Sequence, residues 1–547
     1  MTRSRERPAD SAQSKTPRMP GHSTRENRET LAASAPDGRR RPVGEGHGRT
    51  ADAHAARESD EGIVPTNAPN NDARSGSAEA REGRPSTTEN PEPSASPRTQ
   101  RRSGAPGESL GLLGVRQAAQ RDKRLRFTAL LHHVSVAQLR ASYVALKREA
   151  APGVDGVTWQ SYQVDLERRL ATRHERVHRG SYRALPSKRV YIPKASGGQR
   201  PIGIAALEDK IVQHAVSTVL TSVYEVDFLG FSYGFRPGRS QHDALDALWV
   251  GLMERRVNWV LDADIQGFFD TLDQEWLMRF VAHRIADPRV LRLVRKWLRA
   301  GALEGDLWAE TPVGTPQGAV LSPLLANIYL HYVFDLWVHH WRTQEATGDV
   351  VVVRYADDIV MGFEHRADAE RCLAAWHTRL AQFGLTLHPD KTRWLEFGRH
   401  AADARQHRGE GKPETFDFLG FTHYCGKFRS GRFLVRRQTM RTRLRRKLQA
   451  VKAELRRRRH DPVPEVGQWV RRVVLGHFTY YGVPGNNARL EQFRAAVMQL
   501  WYRALRRRGQ RHPLPWARLG RVVARWIPSV RIVHPYPEVR FAVRHPR

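Results

Sequence analysis

The sequence lacks the cysteines that a disulfide framework or a cysteine-rich zinc site requires. Only Cys372 and Cys425 occur among its 547 residues, so neither structure can form. It also lacks an apolar run near the roughly 18 residues of a membrane-spanning helix, and an apolar signal-peptide region. These absences exclude a disulfide-stapled scaffold, argue against a membrane partner and indicate a cytoplasmic protein.

The N-terminal region lacks aromatic residues. Its first 126 residues contain no Phe, Trp, Tyr or Cys, and Arg, Ser, Pro, Ala, Glu and Gly dominate. A segment of this composition cannot bury enough apolar surface to offset the entropy lost on ordering. We therefore predict that residues 1–107 are a disordered tail. Its arginines either help to hold a polyanion or have no role.

Positive charge dominates the sequence, with 90 Lys and Arg against 57 Asp and Glu and a net charge of +33. Such an excess attracts phosphate groups, and the released counterions make binding strong and sensitive to salt. An anionic membrane surface is a competing partner, and a basic surface that meets only solvent is a third interpretation. The missing membrane signals favour nucleic acid.

Most of this charge lies in the last quarter of the chain, where residues 426–547 hold 31 Lys and Arg and 5 Asp and Glu. An apolar stripe at helical spacing predicts a helix with one packed face and a basic remainder. The stripe consists of Leu444, Leu448, Val451 and Leu455. Aromatic residues interleave further arginines, as on nucleic-acid-binding surfaces. The predicted RNA-binding residues are Arg441, Arg445, Arg446, Arg456, Arg506 and Arg507.

Aspartates follow two apolar strands. A first predicted strand begins at Trp259 and ends at Asp262 and Asp264. A second, at residues 350–353, runs into the sequence Arg-Tyr-Ala-Asp-Asp and continues beyond it, so residues 357 and 358 form the tip of an apolar hairpin. Strands that alternate irregularly with helices predict an α+β fold whose sheet is covered on one face.

Adjacent carboxylates at an apolar hairpin tip are unfavourable, because loss of water and mutual repulsion both disfavour two charges there. A divalent cation would compensate, and oxygen ligands suit Mg²⁺. Most Asp-Asp pairs are solvated turns, so the third carboxylate, Asp264, strengthens the interpretation. Two ions about 3.5–4 Å apart can activate a 3′-hydroxyl and stabilise a leaving pyrophosphate, which is phosphoryl transfer.

Two further segments carry a resemblance to a known family. Residues 189–204 predict a basic hairpin, and a loop with Pro and Gly at residues 315–321 precedes a helix that begins near Ser322. In their order along the chain and in their residues, these segments and the aspartate blocks resemble the motifs of the group II intron reverse transcriptases. These are maturase-type enzymes encoded inside bacterial self-splicing introns. The resemblance runs from about Leu125, where we expect globular structure to begin, to the C-terminus.

The resemblance implies a right-hand polymerase with fingers, a palm with an antiparallel sheet and a helical thumb, followed by a basic helical maturase domain. Fingers and palm would occupy residues 108–425, and thumb and maturase residues 426–547. The implied function is an RNA-directed DNA polymerase that extends a DNA primer on intron RNA with dNTPs, and a maturase that assists splicing and mobility. Such a protein belongs in a cytoplasmic, nucleoid-associated ribonucleoprotein.

Site residues carry over by their match to the family's motifs. The predicted catalytic residues, which would hold two Mg²⁺ ions, are Asp264, Asp357 and Asp358. The predicted nucleotide-contacting residues are Lys194, Arg200, Phe269 and Gln317. The family's Lys and Arg contact the triphosphate, its aromatic residue excludes ribonucleotides beneath the sugar, and its glutamine lines the nucleotide pocket. Surface charge is the competing explanation for the two cations, and core packing for the phenylalanine.

Two other functions stay open at this point. One is an RNA-binding splicing cofactor with an inactive polymerase, and the intact set of aspartates argues against it. The other is a domesticated reverse transcriptase, and the maturase-like C-terminal region argues against it. Longer family members carry an HNH-type endonuclease with a cysteine-paired metal site. No cysteine follows Cys425, so we expect no such endonuclease here.

Overall fold

The computed structural model describes residues 110–193, 198–305, 307–310, 313–315, 318–508 and 515–544. The predicted tail, residues 1–107, lies outside these ranges. The described helices are α1 (Leu110–Arg121), α2 (Val136–Ala145), α3 (Trp159–Gln163), α4 (Leu166–His178), α5 (Leu207–Tyr224), α6 (Gln241–Glu254), α7 (Phe268–Thr271), α8 (Gln274–Arg284), α9 (Pro288–Leu298), α10 (Ser322–Leu330), α11 (Leu336–Gln344), α12 (Arg366–Ala381), α13 (Ala401–His407), α14 (Arg441–Arg457), α15 (Val463–Tyr481), α16 (Asn487–Arg506), α17 (Trp516–Trp526) and α18 (Pro537–Arg544). A 3-10 turn covers Leu131–His133, and a π-helical segment covers His331–Asp335. None of these described helices has both the length and the hydropathy needed to cross a membrane.

The described strands are β1 (Ser187–Pro193), β2 (Gln199–Ile204), β3 (Trp259–Asp264), β4 (Ala302–Glu304), β5 (Leu307–Ala309), β6 (Val350–Tyr355), β7 (Asp358–Phe363), β8 (Arg393–Glu396), β9 (Phe416–Phe418), β10 (Phe421–Lys427) and β11 (Phe433–Thr439). Within the described ranges they form a hairpin sheet (β2-β1-β4-β5), a central sheet (β6-β7-β3-β8) and a C-terminal sheet (β11-β10-β9). Neighbouring strands are antiparallel except for β1 and β4. The predicted α+β class is confirmed, and the predicted helix near Ser322 is α10.

Both faces of the central sheet are covered, whereas the sequence predicted cover on one face. Val352 and Met361 pack into a core that includes α5, α8 and α10. Val351 and Val360 point the other way and pack into a second core with α6 and the C-terminal sheet. The prediction was wrong because residues 350–353 are apolar at every position, and such strands are buried on both faces.

Helical structure is also present before the position at which the sequence predicted globular structure to begin. We expected globular structure from Leu125, but α1 begins at Leu110 and buries Leu112 and Ala119. This helix packs against α5. It contains two glycines and no aromatic residue, so its helical pattern is weak in the sequence.

Helices α14 to α17 surround a separate core, and we call them the basic bundle. The apolar stripe predicted for α14 faces this core, with Leu444, Val451 and Leu455 buried. Trp501 of α16 is fully buried in the same core. From the start of α14 onwards the described elements are all helices. The predicted boundary between the palm and the thumb, between residues 425 and 426, falls inside β10.

The last described helix, α18, follows the bundle in the chain but packs against α6, which lies far from it in sequence. Arg540 of α18 forms an ion pair with Asp246 of α6. The buried Arg437 of β11 pairs with the same carboxylate at 3.2 Å. Phe541 adds to the core shared by α6 and the central sheet. The end of the described chain is therefore part of the central structure.

Candidate active site

The register of the central sheet brings two predicted catalytic aspartates side by side. Asp264, the last residue of β3, is the direct cross-strand partner of Asp358, the first residue of β7. Directly opposed residues of antiparallel strands lie on the same face, with Cβ atoms roughly 4.5–5.5 Å apart. The two strand ends that the sequence pointed to therefore meet.

The third predicted aspartate, Asp357, lies in the turn between β6 and β7. Because Tyr355 pairs with Asp358, the turn consists of Ala356 and Asp357 only. Ala356 has a positive φ of 57°, which two-residue hairpin turns need and which usually selects glycine. For alanine this conformation costs roughly 1–2 kcal/mol. Surrounding contacts must therefore hold the turn.

The carboxylates at this turn repel one another. Asp358 is exposed at the start of β7, but the protein around its carboxylate displaces bulk water, and this desolvation raises its pKa to about 7, with repulsion from Asp357 and Asp264 adding to the shift. Burial also raises the pKa of Asp357, and repulsion from Asp264 again adds to it. The site therefore concentrates negative charge that neighbouring cations only partly offset.

Lys391 is a cation in direct contact with one of these aspartates, and this contact was not foreseen from the sequence. Its ammonium nitrogen lies 2.5 Å from Oδ2 of Asp264. The backbone around Lys391 runs beside β3, since the His388 amide donates to the Asp264 carbonyl at 2.8 Å. Lys391 also lowers the pKa of Asp357 and Asp358 against the effect of burial. A bound cation would compete with Lys391 for the same Asp264 oxygen.

A further carboxylate, Asp262, lies two residues before Asp264 and on the same strand face. Burial raises its pKa to about 7, and repulsion from Asp358, Asp417 and Asp264 adds to the shift. Arg393 opposes the shift, with its Nε 4.0 Å from Oδ2 of Asp262. Successive side chains of a strand point to alternate faces. The two-residue spacing between Asp262 and Asp264 is therefore the sequence signal that places this carboxylate beside the others.

No ready-made metal site exists in the described part of the chain. Nowhere in it do three or more His, Cys, Asp or Glu side chains come close enough together to hold a metal ion. Asp264 lies beside Asp358 at the end of the sheet, and Asp357 lies in the adjoining turn. The carboxylate of Asp264, however, is already in contact with Lys391. The two-ion site stays a prediction.

Of the four predicted nucleotide-contacting residues, two lie among the described residues. Lys194 and Gln317 lie outside the described residues. Arg200 is exposed on β2 and lowers the pKa of Asp357, so its guanidinium lies within electrostatic reach of the site. Phe269 is half-buried on α7, with its ring 5.4 Å from that of Phe268. It packs against the core as well as facing a cavity.

That cavity lies between the hairpin sheet and α7 and has a volume of about 260 Å³. Arg189 and Tyr191 of β1 form one wall, and Phe269, Asp270 and Thr315 form the opposite wall. Phe269 and residues 313–315 both line it, and the Thr315 amide donates to the Phe269 carbonyl at 2.8 Å.

The six predicted RNA-binding arginines all lie on the basic bundle. Four are exposed along α14, one at the end of α16 and one directly after it. They are Arg441, Arg445, Arg446, Arg456, Arg506 and Arg507. Because α14 packs against α16, these side chains belong to one helical layer. RNA contact by them stays a prediction.

Arg443, one of the basic residues of α14, links the basic bundle to the aspartates, and this link was not predicted from the sequence. It lies in the first turn of α14 and is exposed. Its positive charge opposes the rise in the pKa of Asp358, and it lowers the pKa of Tyr480 and Tyr481 in the same way. The basic surface therefore reaches the carboxylate cleft.

Comparison with known proteins gives a consistent assignment of the central region. Residues 192–423 match the family described as reverse transcriptase (RNA-dependent DNA polymerase). Protein YkfC of Escherichia coli K12 is 35% identical over 313 residues, which cover 50% of this chain and 81% of that protein. The group II intron-encoded protein LtrA of Lactococcus lactis subsp. cremoris is 43% identical over 153 residues.

The matches differ in how much of each relative they cover. The LtrA match spans 28% of this chain and 25% of LtrA. An uncharacterized 91 kDa protein in the cob intron of Schizosaccharomyces pombe is 42% identical over 159 residues, or 29% of this chain and 19% of that protein. The chain therefore spans most of one relative and a quarter or less of the other two.

Proposed function

We propose that this protein extends a DNA primer on intron RNA with dNTPs. The premise is its family, because the chain belongs to the reverse transcriptases of group II introns. The carrying observation is the cross-strand pairing of Asp264 with Asp358, with Asp357 in the adjoining turn. Within a right-hand polymerase fold, this arrangement supports nucleotidyl transfer at the end of the central sheet. Phosphoryl transfer depends mainly on positioning and on compensating charge.

The reverse transcriptase family uses divalent metal ions, and we assign Mg²⁺ here. The donor set fits, because carboxylate oxygens are the ligands that Mg²⁺ prefers. Burial and repulsion raise the pKa of Asp357 and Asp358, and a cation would remove that repulsion. When bound by Asp264, Asp357 and Asp358, two ions supply activation of the primer 3′-hydroxyl and stabilisation of the leaving pyrophosphate.

The remaining site residues bind and orient the incoming nucleotide. Arg200, on the hairpin sheet, and Lys194 attract the triphosphate, and Gln317 contributes to nucleotide binding. Phe269 lies beneath the sugar and excludes a 2′-hydroxyl by contact. The electrostatic reach of Arg200 to Asp357 supports its part in this assignment. Lys391 holds the Asp264 carboxylate in place before the nucleotide enters.

The basic bundle serves as the maturase part, which binds the intron RNA and assists its splicing and mobility. Its exposed arginines on α14 and at the end of α16 attract the phosphate backbone of a structured RNA. Arg443 supports continuity between this surface and the cleft, since its charge acts on Asp358. A bound primer and template would thus lie on a basic path that leads to the aspartates.

Incorporation of labelled dTTP on poly(rA)/oligo(dT) with Mg²⁺ tests this function. Asp357→Ala and Asp358→Ala should lower extension by at least about 10³-fold, because each removes a proposed metal ligand. Asp403→Ala on α13, which removes an exposed carboxylate distant in sequence from the turn, is the matched control and should extend like wild type. Salt-dependent RNA binding should stay unchanged in all three variants.

A different result would assign a different function. Wild-type protein that makes no DNA, yet binds the intron RNA and promotes splicing, would be a splicing cofactor with an inactive polymerase. Efficient synthesis by Asp358→Ala would remove this aspartate from the proposed metal site.

A further inference from the structure

A buried ion-pair network lies directly behind the turn that carries Asp357. Its centre is Arg354, next to last in β6, whose side chain is 0% exposed. Asp335, at the end of the π-helical segment, is also 0% exposed, and its carboxylate accepts from Arg354 Nε at 2.7 Å and Nη2 at 2.6 Å. A fully buried guanidinium is tolerated only with a partner of this kind.

The other N–H groups of Arg354 reach the elements that surround the turn. Nη1 donates to Oδ1 of Asn327 at 3.1 Å and to the carbonyl of Ala356 at 3.0 Å. Nη2 donates to Oγ of Ser232 at 2.7 Å. An arginine has five N–H donors, and all five of Arg354 are used. The guanidinium therefore has a single well-defined orientation.

The contact with Ala356 is the informative one, because Ala356 is the turn residue with a positive φ. Its carbonyl group belongs to the peptide that leads into Asp357. Asn327 extends the support, since its Nδ2 donates to the carbonyl of Gly234 at 2.7 Å. The segment at Gly234 in turn lies against the turn, where a Cβ would come within 2.3 Å of the Ala356 nitrogen.

We propose that Arg354, Asp335 and Asn327 are positioning residues that hold the strained turn at Ala356 and thereby fix the spacing of Asp357 and Asp358 for divalent cations. The proposal rests on the proposed function. The π-helical segment supports it, because such segments are rare and occur frequently at functional sites. A network that acted only on stability would have no need to end on the carbonyl of the turn.

Divalent-ion binding separates positioning from stability. Arg354→Lys keeps the charge but cannot reproduce five directed donors. We expect it to weaken Mn²⁺ binding, followed by electron paramagnetic resonance of the free ion, by about 10–100-fold. We expect kcat for dTTP to fall by a similar factor of about 10–100 with KM unchanged, because the spacing of the aspartates acts on the transition state and not on nucleotide binding.

Arg284→Lys provides the matched control. Arg284 ends α8, is 1% exposed and pairs with Asp227 at 3.3 Å, so it is a buried arginine in an ion pair outside the network. It should lower the Tm as Arg354→Lys does, while Mn²⁺ affinity and kcat stay at the wild-type value. Asn327→Ala leaves the Arg354–Asp335 pair intact and should weaken Mn²⁺ binding about 10-fold, the low end of such effects.

The outcomes are distinct. If Arg354→Lys does not fold, Asn327→Ala decides alone. Wild-type Mn²⁺ affinity and kcat in Asn327→Ala, or in a folded Arg354→Lys, would overturn the proposal while the proposed function stands. A wild-type protein that neither binds Mn²⁺ nor extends the primer would overturn the proposed function, and this proposal with it.

Discussion

The central sheet carries its functional charges at the ends of buried strands, whereas the basic bundle carries them on exposed helix faces. In the sheet, strand register and the buried Arg354 fix the carboxylates. In the bundle, an apolar stripe fixes α14, and its arginines extend into solvent. We therefore expect charge in the sheet to act through a geometry shared by a few atoms. We expect charge in the bundle to act through its sum, to which many side chains contribute.

Asp264→Asn should give the largest effect, since it removes one charge from the sheet and keeps the side-chain shape. Single-turnover primer extension should fall by roughly 10³-fold or more, while RNA affinity stays within twofold. Asp262→Asn, two residues earlier on the same strand face, should keep at least a tenth of the wild-type rate. Equal losses in both variants would mean that activity depends on the total charge of the sheet. That result would contradict the proposed difference between the sheet and the bundle.

In the bundle, a combined Arg441→Gln, Arg445→Gln, Arg446→Gln and Arg456→Gln variant should lower RNA affinity by about 100-fold near 0.15 M salt. The slope of log affinity against log salt should decrease by about 3, since each phosphate contact contributes roughly 0.7–0.9. Filter binding over a salt series measures both quantities.

Single substitutions sharpen this test of the bundle. Each of the four arginines should account for a similar share of the loss, because separate surface charges add. Arg457→Gln is the matched control, since Arg457 is already paired with Glu454, and it should cost less than the others. One arginine that carried the whole loss would show that the bundle also depends on exact geometry.

Gly234→Ala tests how tightly the sheet region is packed behind the turn. The added Cβ would lie 2.3 Å from the Ala356 nitrogen, so backbone must move. Overpacking of this kind costs about 1–3 kcal/mol. We expect primer extension to fall by about 10–100-fold, as for other changes in the support of a metal site. Thermal unfolding and extension, measured together, would reveal a loss of activity larger than the loss of stability explains.

Gly476→Ala is the counterpart in the bundle and should have the smallest effect. Gly476 lies inside α15, is exposed, and an added Cβ would meet nothing within 4 Å. Alanine should raise the free energy of unfolding by about 0.4–1 kcal/mol, because it restricts the unfolded chain and favours the helix. Denaturant unfolding measures this gain, and any decrease in extension or RNA binding would contradict the contrast.

Much of the candidate site could be predicted from the sequence, because its signals are local. The apolar runs that end at Asp264 and at residues 357–358 predicted the strands and their turn. The apolar stripe of α14 predicted a helix with one packed face. Periodicity encodes features of this kind, since it relates residues only a few positions apart.

The partners of the aspartates could not be predicted, because they depend on contacts between distant segments. Lys391 reaches Asp264 across 127 residues, and Arg443 of α14 acts on Asp358 of β7. The pairing of Arg354 with Asp335 likewise joins a strand to a π-helical segment, for which the sequence gives no periodic signal. Lys194 and Gln317 stay predictions, as they lie outside the described residues.

The return of α18 to α6 has a consequence for synthesis on the ribosome. Arg540 and Asp246 are 294 residues apart, and at 5–20 residues per second the ribosome needs roughly 15–60 s to make that interval. During this time α6 and the apolar surface that contacts Phe541 stay exposed, because α18 has not yet been synthesised. Nascent chains therefore pass through a long-lived, unfinished state, in which chaperones and proteases meet a surface that the completed fold conceals.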